Sequence, residues 1–260
     1  MSEFIIGDSR VVLRNLLADR GSFLHSTVTS PPYWGKLNYG HPDQIGLLDV
    51  ESYLQDLATI FKLAYDLTLP GGALIVNEAE TWNNYSVVRN HLRETKETQL
   101  NTEAYRRPMV KGYAEKEALG IPERLLSTLR GLGWLHRDTW IWNKGKPGRP
   151  TKSDRPASSH EMIYYFRKPS GTVRYKEAYW DGYYIPSSVL TVAPMGHPLH
   201  PCPFPEDLVR PLVLATTPKA GFCLDPFAGV GTVNDVCNIY GRNGIGVDLR
   251  DWNLETANAA

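Results

Sequence analysis

The 260-residue chain has only three cysteines, Cys202, Cys223 and Cys237, with neither CxxC spacing nor a neighbouring histidine framework. That odd, scattered set excludes a disulfide scaffold and a structural zinc site, and the thiols read as reduced and structural. No apolar run approaches the roughly 20 residues that a membrane-spanning helix needs. The opening MSEFIIGDSR lacks the basic-then-apolar layout of a secretory signal, so the expected location is the cytoplasm and no membrane partner is expected. Net charge is absent too: 28 Lys and Arg balance 28 Asp and Glu, which argues against an overall basic coat for polyanions. No internal repeat is visible.

What is present is 42% hydrophobic residues, enough to bury the core of one α/β domain. Charge is unevenly placed. Between Trp142 and Lys176 basic residues outnumber acidic ones several-fold, and Lys144, Lys146, Arg149, Lys152 and Arg155 share one Gly- and Pro-containing loop. Such a loop is either a solvated connection or a local phosphate-binding face.

Hydrophobic spacing supplies the elements. A short strand over SEFIIGDS precedes a helix with apolar Val11, Val12, Leu16 and Leu17, and SFLHSTVTS forms a second strand. DVESYLQDLATIFKLAYDLTL has helical periodicity with Asp49 as N-cap; PGG then breaks the helix, and ALIVN reads as a buried parallel strand. The polar stretch 78–120 is too long for an ordinary connection and is expected to be an inserted arm with partial helix. IPERLLSTLRGLG is a helix opened by Pro122, WLHRDTWIWNK and HEMIYYFRK are strands, and the stretch from Gly221 to Leu249 reads strand, tight turn, helix, strand. Strands alternating with helices indicate a doubly wound, mostly parallel sheet.

Two short segments carry the chemistry. In LDPFAGVGT an acidic residue closes a strand, and Gly229 and Gly231 stand where a helix starts, so a ligand can approach the backbone and the helix N-terminus. The third glycine of a dinucleotide fingerprint and the lysine of a P-loop are both missing, which leaves a different nucleotide-like ligand or a plain packing turn. Asp248 ends the next strand, where a carboxylate can accept from ribose hydroxyls. The second segment, TSPPY, is a rigid elbow at a strand end, since proline neither donates to a ladder nor continues a helix. Taken alone it is also what a rigid surface turn looks like.

Together and in this order, TSPPY and DPFAGVGT resemble motifs IV and I of the S-adenosylmethionine-dependent amino-methyltransferases, which methylate exocyclic amines of DNA bases. With the catalytic motif near the N-terminus and the cofactor motif near the C-terminus, the chain is similar to the circularly permuted β class. GDSRVVLRNL, PGGALIVN and HPCPFPEDL extend the resemblance over nearly the whole chain. It implies a circularly permuted Rossmann-like α/β fold in a single domain over 1–260, with DNA-contacting loops at 144–160 and 170–187. It also places the strand ending at Asp8 beside the one ending at Asp248.

The resemblance assigns Ser30, Pro31, Pro32 and Tyr33 to catalysis. Tyr33 stacks on a base flipped out of the duplex, while Ser30 and a backbone carbonyl held by the prolines accept the amine hydrogens. It assigns Asp8, Phe204, Pro205, Asp225, Pro226, Phe227, Gly229, Gly231, Thr232 and Asp248 to S-adenosylmethionine. Methyl transfer is direct, without metal or covalent enzyme intermediate. Cys202 lies inside the pre-cofactor motif and reads as a packed cysteine, not as the Pro-Cys nucleophile of cytosine-C5 enzymes. Serine before Pro-Pro-Tyr favours cytosine N4 over adenine N6; a silent protein, or one acting on RNA or protein amines, is the remaining alternative. Expected partners are double-stranded DNA, a second copy in a homodimer and a separately encoded restriction endonuclease.

Overall fold

A computed structural model describes residues 2–84, 86–87, 106–145, 154–170, 185–197, 200 and 202–252. The chain opens with β1 (Glu3–Ile6), α1 (Ser9–Arg20), β2 (Leu24–Thr29), α2 (Val50–Leu67) and β3 (Thr68–Glu78). After a two-residue ladder of β4 (Ser86–Val87) with β5 (Arg106–Arg107) come α3 (Ile121–Gly131), β6 (Leu135–Asn143), β7 (His160–Arg167) and β8 (Val189–Thr191). The remainder is α4 (Glu206–Thr216), β9 (Phe222–Asp225), α5 (Thr232–Ile239) and β10 (Asn243–Asp248).

Eight strands form one sheet in the order β1-β10-β9-β2-β3-β7-β6-β8. β7 alone runs against the rest, pairing antiparallel with both β3 and β6. β1 and β10 pair in parallel with Ile6 opposite Asp248, so the chain's first and last strands are neighbours, as the permuted order requires.

Strand periodicity decides which face each residue serves. In β3, Ala73 and Ile75 face one layer and Leu74 and Val76 the other; in β7, Ile163 and Tyr165 alternate in the same way with Tyr164 and Phe166. The first layer is closed by α4 and α5 through Leu208, Leu212, Val233 and Val236. The second is closed by α2 and α3 through Leu57, Phe61, Leu125 and Leu129, and α1 completes it through Leu13 and Leu16. The Asp49 side chain caps α2 by accepting from the Ser52 amide at 2.9 Å.

Several details depart from the sequence expectations. PGG does not separate helix from strand: α2 ends at Leu67, and the glycines lie inside β3, where the β2–β3 register slips between Leu24 and Ser26. A Cβ on Gly72 would stand 2.4 Å from Thr68 Cγ2, so the bulge tolerates only glycine there. The described part of the 78–120 arm is a short ladder and turns with no helix; residue 85 and residues 88–105 lie outside the described residues. α4 and β8 had no clear signal, because Pro211 interrupts the helical pattern of one and the other is three residues long. Among the described residues no helix is long and apolar enough to cross a membrane.

The seating of α5 on the sheet depends on a missing side chain in β10. A Cβ at Gly246 would stand 2.8 Å from Asn234 Oδ1 and 2.9 Å from Ala228 Cβ. Gly246→Ala should therefore lower the unfolding free energy by about 1–3 kcal/mol. It should also weaken ligand binding at the turn before α5. Thermal unfolding and cofactor titration check both effects.

Candidate active site

The elbow and the glycine turn meet at the carboxyl edge of the sheet. β2 and β9 are adjacent parallel strands with Thr27 opposite Leu224, so Ser30 and Pro226 leave the sheet side by side. Thr29 Oγ1 donates to Asp225 Oδ1 at 2.6 Å across this junction, and the Phe227 amide donates to the same oxygen at 3.0 Å. Burial pushes the Asp225 carboxyl up to about 7.

β10 delivers Asp248 next to it. Asp248 accepts from the Gly229 amide at 2.9 Å, from the Arg250 amide at 3.1 Å and from Trp252 Nε1 at 3.2 Å. Burial still raises its pKa above the ordinary carboxylate value. The turn has left-handed backbone at Gly229 (φ 54°) and Gly231 (φ 87°), and a Cβ on Gly229 would stand 3.2 Å from His200 Nε2. Glycine thus lets the His200 ring pack against the turn, and Gly229, Val230 and Thr232 at the start of α5 line the cleft. Asp8, following β1, caps α1 through the Arg10 amide at 2.7 Å and holds the Arg10 guanidinium at 2.6 Å; Arg10 also reaches Asp56 at 2.7 Å. Burial opposes ionisation of Asp8, yet the Arg10 contacts keep its pKa below the usual value.

One cleft of about 440 Å³ joins these parts. Of the expected cofactor residues, Asp8, Phe204, Asp225, Pro226, Phe227, Gly229, Thr232 and Asp248 line it together with Ser30, Pro31, Pro32 and Tyr33. Pro205 and Gly231 do not: Pro205 is the N-cap of α4 and Gly231 the N-cap of α5. Of the expected DNA residues, Lys144 lines the cleft, its ammonium paired with Glu161 and lying 4.7 Å from the Trp142 ring centre. Arg155 instead lies 4.2 Å over Trp82 and pairs with Asp154. Lys146, Arg149 and Lys152 lie outside the described residues, as does 171–184 of the second expected loop. Cys202 lines the cleft, whereas Cys223 and Cys237 are buried in the core.

Several site residues escaped the sequence reading. Asn77 and Glu78 close β3 at the same edge, and fully buried Glu78 accepts from Tyr53 Oη at 2.9 Å. A polar pair ending an otherwise apolar strand was a usable signal. Glu161 is 8% exposed at the start of β7, and because β7 is reversed its first residues lie at the edge where the other strands end. Tyr33 Oη donates to Glu161 Oε2 at 2.7 Å and lies 2.9 Å from Asn77 Oδ1. Burial, reinforced by the Glu161 charge, holds the Tyr33 phenol well above its ordinary pKa, so it stays protonated. An aromatic wall of Tyr39, His200 and Trp252 stands beside Asp248, with His200 and Trp252 ring centres 5.0 Å apart.

A sheet with its ligand cleft at a topological switch point, lined by strand-end carboxylates and a Pro-Pro elbow, defines a Rossmann-like group-transfer domain. Residues 24–259 match the N6/N4 methyltransferase family, described as DNA methylase, and the chain belongs to that family. Type II methyltransferase M.Cfr9I of Citrobacter freundii is 33% identical over 267 residues, covering 96% of this chain and 84% of that protein. M.SmaI of Serratia marcescens is 30% identical over 262 residues, covering 96% and 87%. Among solved structures, a putative DNA modification methylase of Thermus thermophilus complexed with S-adenosyl-L-methionine superposes with a TM-score of 0.67 at 22% identity, covering 100% of this chain and 94% of that one. PvuII DNA methyltransferase (cytosine-N4-specific) gives 0.67 at 15% identity, covering 96% and 82%. These two show the fold, which is the Rossmann-like methyltransferase architecture expected above.

Glu78 generates a pH test. Burial raises its carboxyl to about 8 from an unfolded value of 4.5, so the folded state favours the neutral acid. Its contribution is complete below pH 4.5 and is lost as pH rises toward 8. Thermal unfolding of Glu78→Gln should lose less stability than the wild type over that window. The divergence should be on the order of a few kcal/mol, at about 1.4 kcal/mol per pKa unit. Asp225 acts in the same direction and keeps a residual slope in the variant.

Proposed function

We propose that the chain methylates DNA at the exocyclic N4 amine of a cytosine flipped out of the duplex, using S-adenosylmethionine. The observation that carries this reading is the single cleft in which the elbow Ser30 to Tyr33 adjoins the turn after Asp225. An exocyclic amine is a weak nucleophile buried by base pairing, so the base has to leave the stack and the amine has to be oriented.

The residues present fit the cofactor. Asp225 and Asp248 offer carboxylates to its ammonium and ribose hydroxyls, the cleft beside the glycine turn admits its bulk, and His200 and Trp252 offer rings to its adenine. When bound, it supplies an electrophilic methyl group on a sulfonium sulfur. Everything else is done by the protein. Ser30 Oγ and the Pro31 carbonyl accept the amine hydrogens, the prolines fix the acceptors, and the Tyr33 ring, pinned by its hydroxyl, forms one wall for the base. Serine before Pro-Pro-Tyr supports cytosine N4, and adenine N6 is the second reading. The relatives' Type II character supports a cognate endonuclease encoded separately, cytoplasmic residence, and double-stranded DNA contacted through Arg155 and the loop that includes Lys146, Arg149 and Lys152. A homodimer remains part of the proposal.

Incubating the purified chain with S-adenosylmethionine and unmodified genomic DNA, then digesting to nucleosides for mass spectrometry, should yield N4-methylcytosine. N6-methyladenine would retain the enzyme and overturn the base assignment; no methylated nucleoside would overturn both. Ser30→Ala should lower kcat about 10–1,000-fold, the range for losing one positioned polar contact to the reacting group, with unchanged cofactor affinity. Retention of full turnover would remove Ser30 from the reaction.

A further inference from the structure

Glu161 has no role in the reading above, although it is the best-connected carboxylate at the base end of the cleft. It is 8% exposed and lines the cavity. One oxygen, Oε2, accepts from Tyr33 Oη at 2.7 Å, and the other, Oε1, accepts from the Lys144 ammonium. Tyr33 Oη in turn accepts from Ser30 Oγ at 3.2 Å. Asn77 Nδ2 donates to the Met162 carbonyl at 3.0 Å, which turns Oδ1 toward the two hydroxyls as a pure acceptor. The hydroxyl donors of this relay run in one direction along the cleft wall, from Ser30 through Tyr33 to Glu161. The Ser30 oxygen is thereby left with its lone pairs free to accept, and a carboxylate terminates the line.

We infer that Glu161 is the terminal acceptor of the proton the target amine loses, reached through the hydroxyls of Ser30 and Tyr33, with the Lys144 ammonium holding its other oxygen. This rests on the methyltransferase reading of the elbow and deepens it. In the step, the amine nitrogen forms a bond to the methyl carbon while the carbon–sulfur bond breaks with its electron pair staying on sulfur. The nitrogen, now positively charged, loses one N–H proton to Ser30 Oγ and keeps the bonding pair. Ser30 passes its own proton to Tyr33 Oη, and Tyr33 passes its proton to Glu161 Oε2. The net change is one proton moved from amine to carboxylate, with both hydroxyls regenerated; water takes that proton from Glu161 after product leaves.

The charges that face Glu161 come from five elements. Tyr33 belongs to the elbow, Lys36 to the loop after it, Glu78 to β3, Lys144 to the connection just after β6 and Cys202 to the segment before α4. Glu78, raised to about 8, is mostly protonated at pH 7, and Lys144 is the cation in direct contact with Glu161. Lys144 therefore serves the reacting base in this account, and not a DNA phosphate.

The test is the single-turnover rate of DNA methylation against pH at saturating cofactor, with thermal unfolding and cofactor affinity measured for every variant. The wild type should show an acid limb. Glu161→Gln and Tyr33→Phe should each slow transfer at least tenfold and flatten that limb, and the double variant should be no slower than the slower single one. Lys144→Met leaves the Tyr33–Glu161 contact in place and should keep the limb, and Tyr33→Phe carries the test if Glu161→Gln fails to fold. An unchanged limb in Glu161→Gln or in Tyr33→Phe, losses that multiply in the double variant, or a limb lost in Lys144→Met would overturn the relay. An inactive wild type would overturn the functional reading and the relay together, whereas an active wild type with any of those profiles overturns the relay alone.

Discussion

The hydrogen bond from Thr29 Oγ1 to Asp225 Oδ1, 2.6 Å long and buried, ties together two parts of the chain 196 residues apart. It sits where β2 and β9 run side by side, the point at which the elbow departs one strand and the glycine turn departs the next. An unpaired carboxylate at that depth would be costly, so the threonine hydroxyl and the Phe227 amide are needed to keep Asp225 in place. The spacing between the elbow at Ser30 and the turn after Asp225 follows from this junction. Gly246, which lets α5 close on β10, and Gly72, which lets β3 bulge against β2, keep the two flanking strands in register with it.

Chemically the cleft has two ends with different electrostatics. At the cofactor end, Asp225 and Asp248 are carboxylates whose burial raises their pKa, an environment improved by a bound cation. At the base end, a carboxylate, an amide and two hydroxyls form one hydrogen-bonded group, and the adjacent Glu78 is mostly protonated at pH 7 because it is fully buried. The base end thus carries acceptors suited to an amine.

Much of this was legible in the sequence because it is encoded locally. Apolar periodicity marked α1, α2 and α3, the Asp49 cap and Pro122 marked two helix starts, and DPFAGVGT with TSPPY marked both halves of the cleft. The adjacency of β1 and β10 followed from the motif order. What stayed hidden depends on tertiary pairing. The direction of β7 cannot be read from HEMIYYFRK, yet that direction alone brings Glu161 to the carboxyl edge. Lys144 looked like one of a run of loop cations, and only the buried partner at the start of β7 separates it from Arg155, which lies over Trp82. Pro205 and Gly231 belong to matching motifs and are the N-caps of α4 and α5, next to residues that line the cleft.

The central claim is that the elbow and the glycine turn form one ligand cleft held at the β2–β9 junction. Amide hydrogen exchange with and without saturating S-adenosylmethionine addresses it directly and needs no knowledge of the DNA sequence recognised. The account predicts that the cofactor slows exchange together in two segments, residues 226–232 and residues 29–36, even though about 190 residues separate them in the chain. Protection confined to 226–232, with exchange in 29–36 unchanged, would show that the cofactor site and the elbow are independent and would contradict it.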